Sequence, residues 1–244
     1  MAVPAPPTST HKPLIVYEDD HSLVVFKQAG LLVVPAENHP PSLEEILQEQ
    51  FNKNVRAVHR IDKVTEGLVL FSKTDYGQQA LLNAFRKRLI DKRYLFVAEG
   101  LLPFKKKTID QPLEKNSVHF QQQKFFIQKV VPEGQNASTF FRVLSQSDKA
   151  SLAEARPFTG RMHQIRAHIS HMGYPINGDL IYGAQHAYPK GHIALCACGL
   201  NFPPPKGKRI AVVQPPSATF QKVCRKLGLE LSTALELIEK DLKS

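Results

Sequence analysis

The sequence predicts an α+β fold built on a mixed or antiparallel sheet. Short apolar runs typical of strands outnumber the segments with helical periodicity. Many of these runs follow one another closely, as hairpin strands do. The first pair, residues 14–17 and 22–27, is separated only by the polar turn 18–21. Because the strands come largely as hairpins, we expect a mixed or antiparallel sheet.

The remaining elements follow in order from their start signals. Ser42 with Glu45 three residues later forms a capping box and predicts a helix. Thr74-Asp75 predicts a second helix, and Ser217 and Ser232 each precede a helical pattern near the C-terminus. Further strands are expected at residues 68–71, 94–98, 125–131, 138–144, 151–155, 193–201 and 209–213.

One predicted helix carries a cluster of basic and polar side chains. Thr159 is a suitable cap, Ile165 and Ile169 have helical spacing, and Gly173 fits the end of the helix. The start of this helix holds a group of polar side chains beside free backbone N–H groups. These side chains belong to Arg161, His163, Gln164 and Arg166. Such an arrangement suits a phosphate or a carboxylate.

Asp62 stands between cationic residues on a loop. It follows Arg60 and precedes Lys63, and an apolar run at residues 68–71 comes directly after the loop. Nearby cations favour an ionised carboxylate, and a strand would hold the loop rigidly. Asp62 is therefore a candidate nucleophile or base. A solvated turn with a surface ion pair explains the same residues.

Composition favours a polyanionic partner. The net charge of the 244-residue chain is +10, and the sequence pI is about 9.5. Ordinary cytosolic proteins can be equally basic, but here basic residues also cluster, for example at Lys105-Lys106-Lys107. We interpret this run as a candidate phosphate-binding site, although a charge run is often only a solvated surface.

The sequence also excludes some classes of protein. No segment approaches the ~20 consecutive apolar residues of a membrane span. Residues 1–12 lack the pattern of a secretory signal and are expected to be a disordered lead-in to a single domain at 13–244. Cys196, Cys198 and Cys224 suit reduced thiols in the cytosol, the first two in core packing. We therefore expect a cytoplasmic protein without a membrane segment or a metal.

Four segments together resemble the RluA-type pseudouridine synthases. His59-Arg60-Ile61-Asp62 and the following Thr65-Glu66-Gly67 resemble that family's His-Arg-Leu-Asp and Thr-Ser-Gly. Lys92-Arg93-Tyr94 resembles its Lys-x-Tyr strand, and the run 137–141 resembles its Ala-x-Thr-x-Tyr/Phe strand. The long fourth segment matches at Gly160, Arg161, His163, Gln164, Ile165, Arg166, Gly173, Pro175, Ile176, Gly178, Asp179 and Tyr182.

Three positions depart from the family pattern. Glu66 stands where a small serine is usual, Met162 replaces a serine or threonine, and Cys196 occupies a place where histidine is frequent. None of the three is a residue to which the resemblance assigns chemistry. They bear on substrate preference more than on the reaction.

The resemblance implies the pseudouridine-synthase fold, a long bent sheet with flanking helices and a central RNA-binding cleft. It implies an isomerase that flips uridines out of ribosomal or transfer RNA and needs no cofactor. The family often carries an N-terminal S4 domain, and Asp62 lies too near the start to leave room for one. We expect a stand-alone catalytic domain that acts as a monomer without an obligatory protein partner.

The resemblance also assigns roles to residues. Asp62 acts on the sugar or the base, Arg166 orients it through an ion pair, and Tyr94 stacks on the uracil. Arg60 fills the space that the flipped uridine leaves, and His59 holds the catalytic loop. The expected RNA-binding residues are His59, Arg60, Arg161, His163, Gln164, Lys105, Lys106 and Lys107.

Other classes fit the sequence less well. His59-Arg60 followed by an aspartate suggests a kinase catalytic loop, but Ile61 intervenes and neither a Gly-rich loop nor Asp-Phe-Gly is present. His163 and His168 lie about 140° apart on a helix, so they do not converge on a metal. The remaining alternative is an RNA-binding relative that has lost activity, and the retained Asp62, Tyr94 and Arg166 argue against it.

Overall fold

The structure is a computed structural model that describes residues 12–51 and 53–243, which form twelve strands and five α-helices. The predicted disorder of the N-terminus falls on residues 1–11, outside the described residues, and on Lys12. The strands are β1 (Leu14–Glu18), β2 (Ser22–Lys27), β3 (Arg56–Ala57), β4 (Glu66–Ser72), β5 (Asp91–Glu99), β6 (Lys106–Ile109), β7 (Leu113–Phe120), β8 (Gln123–Val130), β9 (Thr139–Gln146), β10 (Ala150–Pro157), β11 (Leu195–Phe202) and β12 (Ile210–Val213). The α-helices are α1 (Leu43–Gln50), α2 (Asp75–Arg86), α3 (Gln164–His171), α4 (Ala218–Lys226) and α5 (Leu231–Lys243).

One long sheet organises the fold. Its strand order is β1-β2-β4-β11-β5-β10-β9-β6, with β3 paired to β4 and β12 paired to β11. Only the β4–β11 pair is parallel among the strand pairs of the described residues, and β7 and β8 form a separate hairpin. The predicted α+β class with a mixed sheet is therefore confirmed.

Gly67 brings the parallel pair together at the centre of the sheet. Its φ is +124°, and a Cβ at this position would lie 2.3–2.7 Å from backbone atoms of Ala197 on β11. Only glycine fits so close an approach of two backbones. The loop that carries Asp62 therefore enters β4 at a fixed place beside β11.

The start signals located most helices correctly. The Ser42 hydroxyl accepts the N–H of Glu45 while the Glu45 carboxylate accepts the N–H of Ser42, so the predicted capping box of α1 is confirmed. Thr74 and Ser217 cap α2 and α4 as predicted. Among the described residues, no helix combines the length and the apolar character needed to cross a membrane.

Other boundaries differ from the predictions. Ser232 lies inside α5, because the apolar side of that helix already packs on the core from Leu231. β11 begins at Leu195, two residues later than expected. The sequence did not predict β6, whose three leading residues are exposed and which lies at one end of the sheet order. Such an edge strand lacks the alternation of buried and exposed residues that sequence patterns detect.

A buried cluster of charges joins β10 to its neighbours. The fully buried Glu154 carboxylate lies 2.8 Å from Arg93, 2.8 Å from Arg142 and 3.0 Å from Arg156. Asp241 of α5 lies 2.7 Å from Arg142 and links the C-terminal helix to this cluster. The cluster compensates charges that burial alone would disfavour.

Glu154→Ala is expected to lower the free energy of unfolding by about 3–5 kcal/mol, because it leaves the buried Arg93 and the partly buried Arg142 and Arg156 without their shared carboxylate. Urea unfolding of the purified protein measures this loss. Glu239→Ala is the matched control, since Glu239 pairs with Lys243 at the exposed end of α5. It should cost no more than about 0.5 kcal/mol. Equal losses in the two variants would contradict the assignment.

Candidate active site

Asp62 and Arg166 meet at the centre of the candidate site. Asp62 lies on the loop before β4, and Arg166 lies in the first turn of α3, 104 residues further along the chain. Arg166 Nη1 donates to Asp62 Oδ2 at 3.0 Å. The Arg166 side chain is 3% exposed and that of Asp62 is 24% exposed. The carboxylate therefore faces an opening while the guanidinium holds it from behind.

Asp179 fixes the guanidinium from the other side. Its two carboxylate oxygens accept hydrogen bonds from Arg166 Nε at 2.6 Å and Nη2 at 2.8 Å. Burial alone would lower the pKa of Arg166, but the hydrogen bonds and charge of Asp179 outweigh it and the pKa is raised. The bidentate pair keeps Arg166 charged and leaves Nη1 to point at Asp62.

His163 and Tyr182 form a second support around the same pair. The Arg166 guanidinium lies 4.9 Å from the centre of the Tyr182 ring. The Tyr182 hydroxyl accepts the N–H of Gln128 at 2.7 Å and lies 3.2 Å from His163 Nδ1. Burial lowers the pKa of His163 to about 4, with Asp62 opposing the shift. A neutral ring that accepts a hydrogen bond from the Tyr182 hydroxyl at Nδ1 carries its own proton on Nε2. That Nε2 atom lies 3.7 Å from Asp62 Oδ2.

The predicted start of α3 at Thr159 is wrong, because the helix begins at Gln164. His163 precedes it with a left-handed backbone (φ +52°), a conformation that costs a non-glycine residue about 1–2 kcal/mol. Thr159 instead uses its hydroxyl in two hydrogen bonds, accepting the N–H of Ser138 and donating to the Gln164 side chain. Arg161 and His163 therefore lie on a turn that leads into the helix, and Arg166 lies in its first turn.

A buried lysine anchors the loop that carries Asp62. Lys27 is the last residue of β2 and is fully buried. Its ammonium donates to the carbonyl oxygens of Gln28, Leu31 and Lys63 at 2.8–3.2 Å. Burial lowers the pKa of Lys27 to about 7, with Asp62 opposing the shift. Lys27 thus ties the residue after Asp62 to the end of β2.

Tyr94 lines the pocket into which Asp62 points. It lies on β5 and is 8% exposed, and its hydroxyl makes no hydrogen bond to any residue between 12–51 or 53–243. Burial raises the pKa of Tyr94, with the charge of Asp62 as a further cause. The phenol is therefore neutral and free to meet a ligand. The pocket is lined by His59, Arg60, Ile61, Asp62, Thr65, Phe85, Lys92, Tyr94, Pro157, Thr159, Gly160, Arg161, His163, Gln164, Ile165, Arg166 and Leu195.

His59 forms one wall of the pocket and supports the loop. Its Nε2 lies 3.2 Å from the backbone N–H of Leu70, which donates to it. Burial lowers the pKa of His59 to about 3, so the ring is neutral with its proton on Nδ1. The ring also stacks on Phe85, with centres 6.0 Å apart and planes 11° apart. These contacts fix the ring between β4 and α2, and the role of His59 in holding the catalytic loop stays a prediction.

The other predicted RNA-binding residues of the pocket differ in how exposed their side chains are and in whether those side chains already have hydrogen-bond partners. Arg60 is exposed at the rim. Arg161 is also exposed, although its Nε donates to the carbonyl of Asn136 at 3.1 Å. Gln164 is buried, and its amide bonds to Ser138, Thr139, Thr159 and the Arg161 N–H. All four hydrogen-bonding positions of that amide are occupied, which leaves none for the predicted direct contact with RNA.

Lys105, Lys106 and Lys107 do not line the pocket. Lys106 and Lys107 belong to the edge strand β6, three places from β5 in the sheet, and all three side chains are exposed. At about 4.8 Å per strand, this separation is roughly 14 Å. The role of the run in RNA binding stays a prediction.

Two of the positions that depart from the family pattern are buried and do not line the pocket. The Glu66 carboxylate is buried at the start of β4 and accepts the N–H of Ser217 at 2.9 Å. Burial raises the pKa of Glu66. Cys196 is fully buried as a free thiol, as is Cys198. Both cysteines belong to the hydrophobic core, as predicted.

The part of the chain that the structure describes contains no group of three or more His, Cys, Asp and Glu residues arranged to hold a metal ion. His168 is buried and engaged elsewhere, with Nδ1 3.0 Å from the Thr139 hydroxyl and Nε2 2.9 Å from the carbonyl of Gln111. The candidate site consists of the Asp62 carboxylate, held by Arg166, in a pocket whose wall includes Tyr94.

Lys27, Asp179 and Tyr182 were not among the site residues predicted from the sequence. Asp179 and Tyr182 belonged to the matched segment but carried no chemical signal of their own. The sequence did mark Lys27 as unusual, because a lysine is the last residue of a strand that is buried along its whole length. Gly30 follows three residues later. A charged residue in such a place needs partners, and here they are backbone carbonyls.

Comparisons with known proteins point to one family. The sequence pattern of the family described as RNA pseudouridylate synthase matches residues 21–171, more than half of the chain and including Asp62, Tyr94 and Arg166. The ribosomal large subunit pseudouridine synthase C of Vibrio cholerae is 35% identical over 189 residues, or 74% of this chain. The ribosomal large subunit pseudouridine synthase D of Zymomonas mobilis is 36% identical over 193 residues, also 74% of this chain. The chain spans 58% of the length of each of these relatives.

A solved structure shows the same fold. Human RNA pseudouridylate synthase domain containing 4 superposes with a TM-score of 0.72, covering 89% of this chain and 94% of that one. The sequences are 22% identical, so this likeness concerns the fold alone. The predicted pseudouridine-synthase fold and the resemblance to the RluA-type enzymes are confirmed.

Proposed function

Since this chain belongs to the RNA pseudouridylate synthase family, we propose that it converts selected uridines of ribosomal or transfer RNA to pseudouridine. The observation that carries the proposal is the Asp62 carboxylate, held at 3.0 Å by Arg166 and directed into a pocket with an aromatic wall. The names of bacterial relatives favour large-subunit ribosomal RNA as the substrate. The protein acts as a monomer in the cytoplasm, with residues 13–244 as its catalytic domain.

The reaction rearranges one nucleotide. The bond between uracil N1 and ribose C1′ breaks, the base turns, and a bond forms between C5 and C1′. The proton on C5 leaves and N1 gains a proton, so atoms and electrons balance without an oxidant or a reductant. Asp62 acts at this nucleotide while the base is detached, either by attacking the sugar or base or by removing a sugar proton.

The surrounding residues hold Asp62 ready for this step. Asp179 and Tyr182 orient Arg166, and Arg166 orients the carboxylate. Lys27 fixes the loop through the carbonyl of Lys63. A site that is already ordered does not have to reorganise as the reaction proceeds.

The target uridine must leave the RNA stack to reach Asp62, at a cost of a few kcal/mol. Tyr94 stacks on the flipped uracil, and the exposed Arg60 occupies the vacated space in the RNA. Arg161 and His163 contact the RNA beside the pocket, and Lys105, Lys106 and Lys107 bind phosphates further out. His59 and Gln164 shape the walls and the turn rather than bonding to RNA directly.

Tyr94→Phe should lower turnover and leave RNA affinity within about twofold, because the ring still stacks and only the hydroxyl is lost. Single-turnover conversion and filter binding measure the two quantities separately. Tyr76→Phe is the control, since the hydroxyl of Tyr76 lies on the surface near Pro205. A Tyr94→Phe enzyme with normal turnover would remove the hydroxyl from the mechanism.

Mapping pseudouridines in cells with and without the gene tests the function and finds the substrate. The proposal expects at least one uridine, in ribosomal or transfer RNA, that is pseudouridine only when the gene is present. Expression of the Asp62→Asn variant in the strain without the gene should not restore the modification. Identical maps in the two strains would contradict the proposal.

A further inference from the structure

Lys92 enters the same pocket as Tyr94 without an assigned role. It lies on β5 two residues before Tyr94, so the two side chains project from the same side of the strand. Its ammonium lies 5.1 Å from the centre of the Phe85 ring. The ring therefore holds the end of the lysine at one wall of the pocket.

This ammonium has no anionic or hydrogen-bonding partner within residues 12–51 and 53–243. The adjacent carboxylate, Asp91, is 2.6 Å from Arg93 instead. Burial lowers the pKa of Lys92 to about 8, with Asp91 opposing the shift. Removing an ammonium from water without giving it an acceptor is unfavourable. Within the described residues this ammonium is compensated only by the Phe85 ring and by the charge of Asp91, without a hydrogen-bond acceptor.

Other lysines show the contrast. The buried Lys27 has three carbonyl acceptors. Lys73 also lies over a phenylalanine, 5.8 Å from the centre of the Phe51 ring, but it pairs with Glu18 at 2.6 Å. Lys92 alone among these three faces the substrate pocket.

We propose that Lys92 binds a backbone phosphate of the RNA next to the flipped uridine. This inference rests on the proposed function and adds a substrate contact to it. Tyr94 takes the base, and two residues along a strand span about 6.6 Å, which is the scale of the distance from a base to its own phosphate. Lys92 lines the same pocket as Asp62, and a phosphate is the anion that the RNA itself brings to this ammonium.

Phe85 and His59 make this contact possible. The Phe85 ring packs against the lysine on one side of the pocket and stacks with His59. The neutral His59 ring adds no positive charge of its own at this wall. The positive charge at this wall is therefore that of Lys92.

Replacing Lys92 with methionine tests the contact with single-stranded polyuridylate as the probe. Affinity should fall about tenfold at low salt, the loss of one charge-assisted hydrogen bond. The slope of log affinity against log salt should become shallower by about 0.7, as expected for one phosphate fewer on a single strand. Lys92→Arg should restore the slope, and Lys73→Met, the matched control, should leave both quantities unchanged. An unchanged slope in Lys92→Met would overturn the proposal.

A second measurement locates the phosphate. RNA containing the uridine found by pseudouridine mapping is synthesised with one neutral methylphosphonate beside that uridine. The neutral link should weaken binding of the wild type but not of Lys92→Met, because only the wild type uses that charge. Equal weakening of both proteins would overturn the proposal, and so would a Lys92→Met defect confined to turnover. If the wild type modifies no uridine, the proposed function fails, while the polyuridylate slope still decides the role of Lys92.

Discussion

Asp62→Asn is expected to abolish the conversion of uridine to pseudouridine, with turnover reduced by on the order of 10⁴-fold or more. The amide has nearly the same shape as the carboxylate but neither attacks a carbon nor accepts a proton at neutral pH. RNA binding should stay within about twofold of the wild type, because affinity comes mainly from phosphate contacts. Tritium release from RNA labelled at uracil C5 measures turnover, since that hydrogen leaves as C5 joins the sugar.

Asp75→Asn is the matched control for this substitution. Asp75 is exposed in the first turn of α2 and does not line the pocket. Its variant should retain wild-type turnover. An Asp62→Asn enzyme that turned over as fast as Asp75→Asn would exclude Asp62 as the catalytic group.

Arg166→Met is expected to reduce activity by orders of magnitude and to destabilise the fold by about 3–5 kcal/mol. The substitution leaves Asp179, which is 1% exposed, without its bidentate partner, and it removes the cation 3.0 Å from Asp62. Single-turnover conversion measures the loss of activity, and urea unfolding measures the loss of stability.

A double variant separates the chemical role of Arg166 from its role in the fold. Arg166→Met combined with Asp179→Leu removes both buried charges, so much of the lost stability should return. Activity should not return, because Asp62 still lacks its cation. A stable double variant with wild-type activity would show that the ion pair serves the fold alone.

Much of the fold could be predicted from the sequence because the signals for its helices are local. The starts of some helices depend only on neighbouring residues. They were correctly predicted from the capping box of Ser42 and Glu45, from Thr74 and from Ser217. The pairing of Asp62 with Arg166 was accessible through the resemblance of two segments. Local signals and a shared motif thus predicted most of the strands, the five helices and the central contact, but not β3, β6 or β7.

The remaining features depend on contacts between distant parts of the chain. Thr159 resembles a helix cap, but its hydroxyl bonds to the N–H of Ser138, just before β9, and to the Gln164 amide. Asp179 finds its ion-pair partner only in the folded chain, where α3 places Arg166 beside it. Lys27 is explained by three carbonyls, one of them 36 residues away in sequence. A sequence pattern does not reveal which acceptors a buried group will find.

The conversion of uridine in RNA by the purified protein tests the central claim most directly. RNA labelled with tritium at uracil C5 is prepared from a strain that lacks the gene and is incubated with the wild type or with Asp62→Asn. The account predicts release of tritium by the wild type, pseudouridine at a defined position in the product, and neither with Asp62→Asn. No release from ribosomal or transfer RNA, or equal release by both proteins, would contradict it.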